Sequence, residues 1–324
     1  MPSRAPTAGA IRAVCALMLA ACACTDSRTP VLVFHAASLS RVLGELEPAL
    51  EAQLADVDLR CEPSGSQAAA RKVAELRRPA DLVLVADWRL IPRIMQPEHA
   101  DWLVQFASNE IVLAHAEHSR YTDEVSASNW PQLLTRPDVR LGRADEHTAP
   151  IGFQTLQVWA LAERAYSSDV QAGPGLAERL AARCAARHVV PDVAELVSLL
   201  ESRAVDYIFV FRSLAEEHRL KVVRLPDAIN LADPQREADY ARARVPVRLR
   251  SRAEPVELAG APVIYALTVP RRAPHREHAL RSARFMLGEK GREVLSRSGF
   301  RILDARPVPA ERVPAAVLPE KAAP

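Results

Sequence analysis

The sequence predicts an α/β fold, and two observations favour that class. Short apolar runs alternate with segments of helical periodicity, and strand, turn, helix and strand follow one another at the spacing of α/β units with a mainly parallel sheet. The 324 residues, 25% of them charged, suit one large domain or two smaller ones of a soluble protein. The formal charge of +2 gives no basic excess to neutralise phosphates, which argues against nucleic acid as the main partner.

The individual elements follow from the period of the apolar residues. Short apolar runs bounded by turn residues predict strands at 31–36, 57–62, 81–86, 110–116, 139–142, 205–211 and 262–269. Apolar residues that recur every three or four positions predict helices at 39–54, 66–77, 87–95, 151–166, 174–187, 192–202, 213–219 and 274–298. The Pro- and Ala-rich end of the chain, 311–324, is predicted to be a loose tail.

The first residues have the features of a secretory signal. Arg4 and Arg12 precede an apolar run at 13–21 that is too short to span a bilayer, which needs about 20 apolar residues. Leu19-Ala20-Ala21-Cys22 resembles a bacterial lipobox, so we expect 1–21 to be a lipoprotein signal peptide and Cys22 to carry the lipid. A plain signal peptide is the alternative. The predicted product is anchored through Cys22 on the extracytoplasmic side, in the periplasm, with 22–30 as a tether.

Removal of the signal changes the charge and the cysteine count. It takes away two Arg and no acid, so the 42 basic and 40 acidic residues become 40 of each. Of the five cysteines, Cys15 leaves with the signal and Cys22 takes the lipid. Cys61 and Cys184 either form a disulfide or remain as two buried thiols, and we favour the thiols. No Cys/His spacing indicates structural zinc.

Two turns after predicted strands carry serines. The first strand ends in Ala36-Ala37-Ser38-Leu39-Ser40, and the second ends in Ser64-Gly65-Ser66. In each turn a Ser, namely Ser38 or Ser66, occupies the position where a helix N-cap is expected. Free N–H groups at a helix start, beside a hydroxyl, form an anion site, and ligands of open α/β sheets lie at the carboxyl ends of strands. The alternative is that these serines only cap helices.

The chain resembles the tungstate/molybdate-binding proteins of ABC importers, a family common in archaea. The resemblance is collinear over roughly 31–310. It rests on HAASLS (35–40), PSGSQAAARKVAEL (63–76), PADLVLVADWRLIPRIMQPEHADW (79–102), FASNEIVLAH (106–115), PIGFQTLQVWALAE (150–163), VDYIFVFRSLAEEH (205–218) and APVIYALTVPRRAPHRE (261–277).

The resemblance implies a two-lobed periplasmic-binding-protein fold of type II, with the ligand in the cleft between the lobes. Lobe one is expected to comprise 31–112 and 263–310, and lobe two 113–262. By the same resemblance the protein is a monomeric receptor that delivers a small oxyanion, molybdate or tungstate, to a permease in the cell membrane. Closure of the lobes on the ligand is the expected signal to that permease.

The family's ligand contacts are implied at four places in this chain. They map to Ala37, Ser38, Gly65, Ser66, Ala149, Pro150, Ile151, Gly152 and Val210. Ser38 and Ser66 are expected to donate their hydroxyls, and main-chain N–H groups around Ala37, Ser66, Ile151 and Gly152 are expected to donate as well. The family has a metal-ligating Asp where this chain has Ala149 and a metal-ligating Glu where it has Val210.

The absence of both carboxylates predicts a different mode of binding. We expect the ligand to be held as an intact tetrahedral anion, with Ala149 and Val210 lining the site and with no metal or cofactor bound by the protein. Two fewer negative charges in the cleft would ease the approach of a dianion. Replacement of the missing acid by Asp145 or Glu146 is not expected. Phe153 and Gln154, where the family often has Tyr and Arg, also make the cleft less polar. The alternative is a receptor for another anion, namely sulfate, phosphate or a small organic anion.

Two other classes of function remain open but less favoured. A hydrolase would need a base beside Ser38 or Ser66, and no nearby His has the order of a triad, so we expect no catalytic residues. The pairs His115/His118 and His275/His278 have helical metal-binding spacing, but both lack a third ligand. A lipoprotein scaffold that has lost its ligand would have no need for two serine-containing turns.

Overall fold

The computed structural model describes residues 28–169, 173–248 and 254–319. The described residues therefore do not include the predicted signal peptide 1–21, Cys22 or most of the tether 22–30. Within the described ranges, no helix combines the length and the apolar character that a membrane crossing requires.

The strands and helices alternate along most of the chain. The strands are β1 (Thr29–Ala36), β2 (Val57–Ser64), β3 (Leu82–Val85), β4 (Leu103–Asn109), β5 (Ile111–His115), β6 (Leu141–Ala144), β7 (Val189–Val190), β8 (Tyr207–Phe211), β9 (Lys221–Arg224), β10 (Arg244–Val247), β11 (Val256–Ala259), β12 (Val263–Thr268) and β13 (Arg301–Val308). The helices are α1 (Ser40–Gln53), α2 (Ser66–Ala74), α3 (Trp130–Leu134), α4 (Pro150–Ala165), α5 (Leu176–Arg183), α6 (Val193–Glu201), α7 (Arg212–Glu217), α8 (Glu237–Tyr240), α9 (Arg276–Leu287) and α10 (Glu289–Arg297).

The strands form two main sheets and one hairpin. The first sheet has six strands in the order β13-β4-β12-β3-β1-β2, and the second has five in the order β7-β6-β8-β5-β9. Strands β10 and β11 form a separate antiparallel pair. The predicted α/β class is confirmed, and the strands are divided between two main sheets.

Burial explains why the strands near the centre of the first sheet read as continuous apolar runs. All four residues of β3 and all six of β12 are buried, so both faces of these strands are covered. Helix α1 covers one face through Val42, Leu43, Leu46 and Leu50, which follow helical spacing and are all buried.

The chain passes from the first sheet to the second at Glu110. Strand β4 ends at Asn109 and β5 begins at Ile111, so a single residue separates the sheets. The Glu110 side chain is 3% exposed and its Oε1 lies 3.1 Å from Arg212 Nη1 and 3.0 Å from Arg224 Nε. A buried carboxylate at this point is tolerated because both guanidinium groups compensate its charge.

Several sequence-based expectations need correction. The predicted sheet was mainly parallel, but β4 and β12 run antiparallel to their neighbours, as does β5. The predicted helix 274–298 is two helices, because Gly288 leaves the helical conformation between them. In place of the predicted helix 87–95 there is a π-type turn at Ile91–Met95.

The predicted loose tail is also partly wrong. Val317 is fully buried and Leu318 packs against the core, so the described part of 311–324 is packed on the protein. The remaining residues, 320–324, lie outside the described ranges. Burying the apolar side chains at 317 and 318 is favourable because it removes their surface from water. The prediction considered only the Pro and Ala content of the segment.

Candidate functional site

The first serine turn follows β1 directly. Ala37–Leu39 form one 3₁₀ turn, and both Ala37 and Ser38 are exposed. Ser38 Oγ lies 2.9 Å from the hydroxyl of Tyr265. The expected N-cap role is wrong, because the cap of α1 is Leu39 and no side chain caps the helix. The physical reason is that the Ser38 hydroxyl pairs with the buried Tyr265 hydroxyl, which would otherwise lack a partner on that side.

The second serine turn begins α2. Gly65 is the N-cap residue with an extended backbone, and Ser66 is the first helical residue, so Ser66 is not the cap either. Ser66 Oγ accepts a hydrogen bond of 2.9 Å from the main-chain N–H of Ala86. A main-chain N–H can only donate, so the hydroxyl hydrogen of Ser66 is left to be donated elsewhere. The first bond of the helix runs from Ala69 N–H to Gly65 O at 2.9 Å, so the N–H groups of Ser66 and Gln67 precede it.

Strand register brings the two serine turns to one edge of the first sheet. Strands β1 and β2 are parallel, and Ala36 is the register partner of Ser64. Ser38 and Ser66 each follow these partners by two residues, so both turns leave the sheet side by side. The four predicted residues Ala37, Ser38, Gly65 and Ser66 therefore form one group, which we call the serine edge.

A lysine lies behind the serine edge. Lys72 Nζ donates to Ser64 Oγ at 3.0 Å and lies 2.9 Å from Glu62 Oε1. The Lys72 side chain is only 14% exposed. Hydrogen bonds from Arg78 and Lys72 lower the pKa of Glu62 to about 2, so this carboxylate is ionised and balances the lysine.

The second predicted group begins α4. Ala149 is the N-cap residue with an extended backbone, Pro150 is the exposed first residue, and Ile151 and Gly152 are buried. The Gly152 N–H donates to Ala149 O at 2.9 Å, so it is hydrogen-bonded within its own turn, and its role toward a ligand stays a prediction. A Cβ on Gly152 would lie 2.4 Å from Asp145 O, which is why only glycine fits here.

Val210, the other predicted residue of the second sheet, lies inside the core. It has no exposed surface and is the register partner of Val112 on β5. Its neighbour Phe209 packs edge-on against Trp130 and Trp159, with ring centroids 5.7 Å apart in each pair. Strands β6 and β8 are parallel neighbours, so the turn that starts α4 and the end of β8 share one edge of the second sheet.

The two acids near Ala149 are already engaged. Asp145 Oδ1 accepts from the main-chain N–H of His147 at 2.6 Å. Glu146 forms an ion pair with Arg143. Burial by itself would raise the pKa of Glu146, but a main-chain hydrogen bond and Arg143 together hold it below its ordinary value. Either carboxylate would have to break these interactions before it could replace the acid that the family has at Ala149.

The described residues give no support to a metal centre or a catalytic triad. Within them, no group of three or more His, Cys, Asp or Glu side chains is placed to hold a metal ion. His275 lies 3.4 Å from Asp81 and His278 lies 3.3 Å from Asp56, as ordinary pairs. His35 Nδ1 contacts Ala36 O at 2.9 Å rather than Ser38. Cys61 and Cys184 are free thiols, as favoured, and burial raises the pKa of each to about 12.

Sequence reasoning missed the residues that hold the serine edge in place. Tyr265 on β12 contacts Ser38, and Ala86 at the end of β3 contacts Ser66. The sequence did not identify Tyr265 as a residue of the site, because it lies inside an apolar run. Three adjacent polar residues, Ser108, Asn109 and Glu110, did mark the crossover between the sheets, because they interrupt the apolar runs of β4 and β5.

Comparison with known proteins places the chain among binding proteins. Residues 31–301 match a family described as bacterial extracellular solute-binding protein. An uncharacterized solute-binding protein of Petrotoga mobilis is 38% identical over 274 residues, which cover 85% of this chain and 84% of that protein. The molybdate/tungstate-binding protein WtpA of Thermococcus kodakarensis is 35% identical over 291 residues, covering 83% and 81%. Among solved structures, the periplasmic molybdate-binding protein of Azotobacter vinelandii aligns with a TM-score of 0.55 at 16% identity, over 83% of this chain and 98% of that one.

Proposed function

Because the chain belongs to the bacterial extracellular solute-binding protein family, we propose that it is a receptor that binds a tetrahedral oxyanion and delivers it to an ABC importer. The single observation that carries the proposal is the serine edge. There, two hydroxyls and the first N–H groups of α2 lie at one edge of a sheet. These are the donors that an oxyanion needs, at the place where ligands of open α/β sheets bind.

The proposed ligand is molybdate or tungstate. Relatives that are 35% and 36% identical are named as molybdate/tungstate-binding proteins. Ala149 and Val210 carry no oxygen on their side chains, so we propose that the metal of the oxyanion keeps its four oxygens and binds none of the protein's. Selection against sulfate then depends on anion size and on hydrogen-bond geometry.

We also propose how the receptor works as a whole. Lobe one would comprise 31–112 and 263–310, and lobe two 113–262, with closure of the cleft presenting the loaded receptor to the permease. A lipid on Cys22 would keep the monomer on the extracytoplasmic side, tethered by 22–30. The mechanism is binding and closure, with no chemical step.

Calorimetric titration of the chain from Thr25 onward, which retains every described residue, tests the ligand. Molybdate, tungstate, sulfate and phosphate are added in turn. We expect tight binding of molybdate and tungstate. Binding of sulfate or phosphate alone would replace the proposed ligand with another anion, an outcome that the apolar Ala149 and Val210 make worth testing. Binding of none would contradict the receptor function for these ions.

A double substitution tests the site. Ser38→Ala with Ser66→Ala removes two hydrogen bonds to a charged ligand, each of which contributes about 1.5–3 kcal/mol. We therefore expect the affinity for molybdate to fall by at least about 100-fold. Ser40→Ala is the matched control, because Ser40 Oγ already donates its hydrogen to Ala37 O in the same turn. Unchanged affinity in the double variant would place the site elsewhere.

A further inference from the structure

The first sheet has a second end, opposite the serine edge. Strand β3 runs from Leu82 toward Ala86, which contacts Ser66, so the turn that precedes Leu82 lies at the other end of the sheet. Strand β1 is parallel to β3, with Val33 opposite Leu82, so the chain also enters β1 at this other end. The tether that joins β1 to Cys22 therefore meets the described part of the protein here.

A cationic pocket lies at this end of the first sheet. Its volume is about 160 Å³, and no acidic side chain lines it within the described part of the chain. Most small-molecule pockets are larger, at roughly 300–1,000 Å³, so this one suits a head group better than a whole metabolite. Its lining has a basic part and an apolar part, namely Arg77, Arg78, Arg272 and His99 beside Val73, Pro79, Ala80 and Pro270.

Two arginines of the pocket have no carboxylate partner. Arg78 is paired with Glu62 through two hydrogen bonds, of 2.7 and 2.6 Å. Arg77 and Arg272 are exposed, and neither side chain forms a hydrogen bond or an ion pair within the described ranges. A guanidinium group is a planar fork of N–H donors that binds phosphate through two parallel hydrogen bonds. The pocket can therefore accept a phosphate group without breaking an existing ion pair.

The backbone at Arg77 would be better served by glycine. Arg77 has a φ of 52°, in the left-handed region, at the point where the chain leaves α2. The next N–H, that of Arg78, donates to Lys72 O at 2.9 Å and so closes the end of the helix. Glycine is favoured at such a position because a Cβ is unfavourable there. Folding alone therefore does not explain an arginine at 77, and a binding role does.

An apolar side chain stands beside these arginines. Leu76 is 68% exposed and, among the described residues, is the one large apolar side chain that is exposed. Leucine and arginine together on one surface are typical of proteins that contact the head groups and the outer acyl chains of a bilayer. We call Leu76, Arg77, Arg78 and Arg272 the arginine edge.

We propose that the arginine edge binds the phosphate head groups of an anionic bilayer and so holds the receptor with its serine edge facing the solution. The inference rests on the proposed function for the lipid on Cys22. Seven residues separate Cys22 from Thr29, and they span at most about 25 Å, so the lipid keeps this end of the first sheet near the bilayer. Two unpaired arginines and one leucine make a weak contact, which docking on the permease can replace.

Sedimentation with vesicles tests the contact on the unlipidated chain from Thr25 onward. Vesicles of phosphatidylglycerol and phosphatidylcholine in equal amounts are compared with vesicles of phosphatidylcholine alone. We expect binding to the anionic vesicles only, and weaker binding as NaCl is added. Equal binding to both kinds of vesicle, or binding to neither, would overturn the inference. Binding of glycerol phosphate without binding of vesicles would assign the pocket to a soluble phosphate ester and would also overturn it.

Arg77→Gly with Arg272→Gln tests the residues. Each arginine near an anionic surface contributes about fivefold to binding, so we expect the affinity for anionic vesicles to fall about 20-fold. The midpoint of urea denaturation should not fall, because glycine suits the backbone at 77. The matched control is Arg219→Gly with Arg203→Gln. It removes the same charge from two exposed arginines that also have left-handed backbones, with φ of 53° and 64°. Equal losses in both double variants would overturn the inference.

Leu76→Ser separates a bilayer contact from simple phosphate binding. We expect it to weaken binding to anionic vesicles several-fold, because the apolar side chain no longer enters the bilayer. Unchanged vesicle binding would overturn the bilayer contact. Titration with molybdate distinguishes the two proposals, since the serine edge lies at the opposite end of the first sheet and all these variants should bind molybdate normally. Failure of the unmodified protein to bind molybdate, with vesicle binding intact, would overturn the proposed ligand and leave this contact standing.

Discussion

The strand ends of the first sheet differ from those of the second in the hydrogen-bond donors that they present to an anion. At the serine edge, Ser38 Oγ is hydrogen-bonded to the Tyr265 hydroxyl, and Ser66 Oγ accepts from the main-chain N–H of Ala86. At the corresponding edge of the second sheet, Val210 is fully buried and the N–H of Gly152 is bonded to its own turn. The polar side chains of the candidate site therefore belong to the first sheet. The second sheet contributes apolar side chains and main-chain N–H groups.

This difference indicates which sheet would decide the kind of ligand that the site accepts. Side-chain hydroxyls can donate hydrogen bonds to an anion, and among the predicted site residues only those of the first sheet have them. The second group depends on a close approach, in which the backbone of Gly152 lies against Asp145 and Ala144. A disturbance of backbone position should thus be most severe on the second sheet, and a disturbance of hydrogen-bond direction on the first.

Gly152→Ala should have the largest effect on this comparison. The new Cβ would lie 2.4 Å from Asp145 O and 2.7 Å from Ala144 O, both main-chain atoms that cannot rotate away. We expect the free energy of unfolding to fall by about 3 kcal/mol, at the upper end of the usual range for overpacking, and oxyanion binding to be lost. Urea denaturation followed by calorimetric titration measures both quantities.

Gly44→Ala supplies the matched control for that substitution. Gly44 lies within α1 and is exposed, and a Cβ added to it would have no atom within 4 Å. The same chemical change there should raise the free energy of unfolding by about 0.5–1 kcal/mol, because alanine favours the helix. If both variants lost stability equally, the close approach at Gly152 would not be the cause.

The sequence predicted the fold class and the strand-to-turn positions because local periodicity determines them. Buried strands such as β1 and β12 are short apolar runs between turn residues, and that signal is local. Strands β4, β9 and β13 were missed, since β4 directly precedes β5 and the other two contain exposed Lys, Arg or Asp residues. The parallel or antiparallel direction of β4 and β12 depends on pairings far apart in the chain, which periodicity does not encode.

The sequence located the serine edge but not the roles of its serines. The positions of Ser38 and Ser66 were predictable because each follows the end of an apolar run. The register of Ala36 with Ser64 brings the two serines together. Their hydrogen-bond partners are distant in sequence, since Ser38 and Tyr265 are 227 positions apart. Helix-capping preference therefore gave the wrong partner for both hydroxyls, because tertiary contacts outweigh it.

Ala149→Asp sharpens the comparison by returning a carboxylate to the second group. Ala149 is half-buried at the N-cap of α4, so the new charge would be only partly screened. If the ligand is held as an intact dianion, repulsion at partial burial should weaken molybdate binding by about tenfold. Ala149→Asn is the matched control of equal size without charge. Tighter tungstate binding by the Asp variant than by the Asn variant would show that the protein can still ligate the metal, against the proposed four-coordinate mode.

Acid sensitivity should give the smallest difference between the two sheets. His35 on β1 is 1% exposed, while His115 on β5 and His188 before β7 are each 4% exposed. Desolvation lowers the pKa of all three below the ordinary value of 6.5. The unfolded chain therefore binds protons more readily than the folded protein, so stability is fully present above pH 6.5 and falls as the pH drops below it.

Each such histidine can remove at most about 1.4 kcal/mol per pH unit within that window. Urea denaturation at pH 8 and at about pH 5.5, above the range in which carboxylates titrate, measures the loss. Replacing His115 and His188 together by Gln should abolish about twice as much of this pH dependence as His35→Gln, since the second sheet carries two of the three groups. The same free energy of unfolding at both pH values would mean that these imidazoles accept protons without leaving their buried positions. In that event the two sheets would differ in how they hold an anion but not in their response to acid.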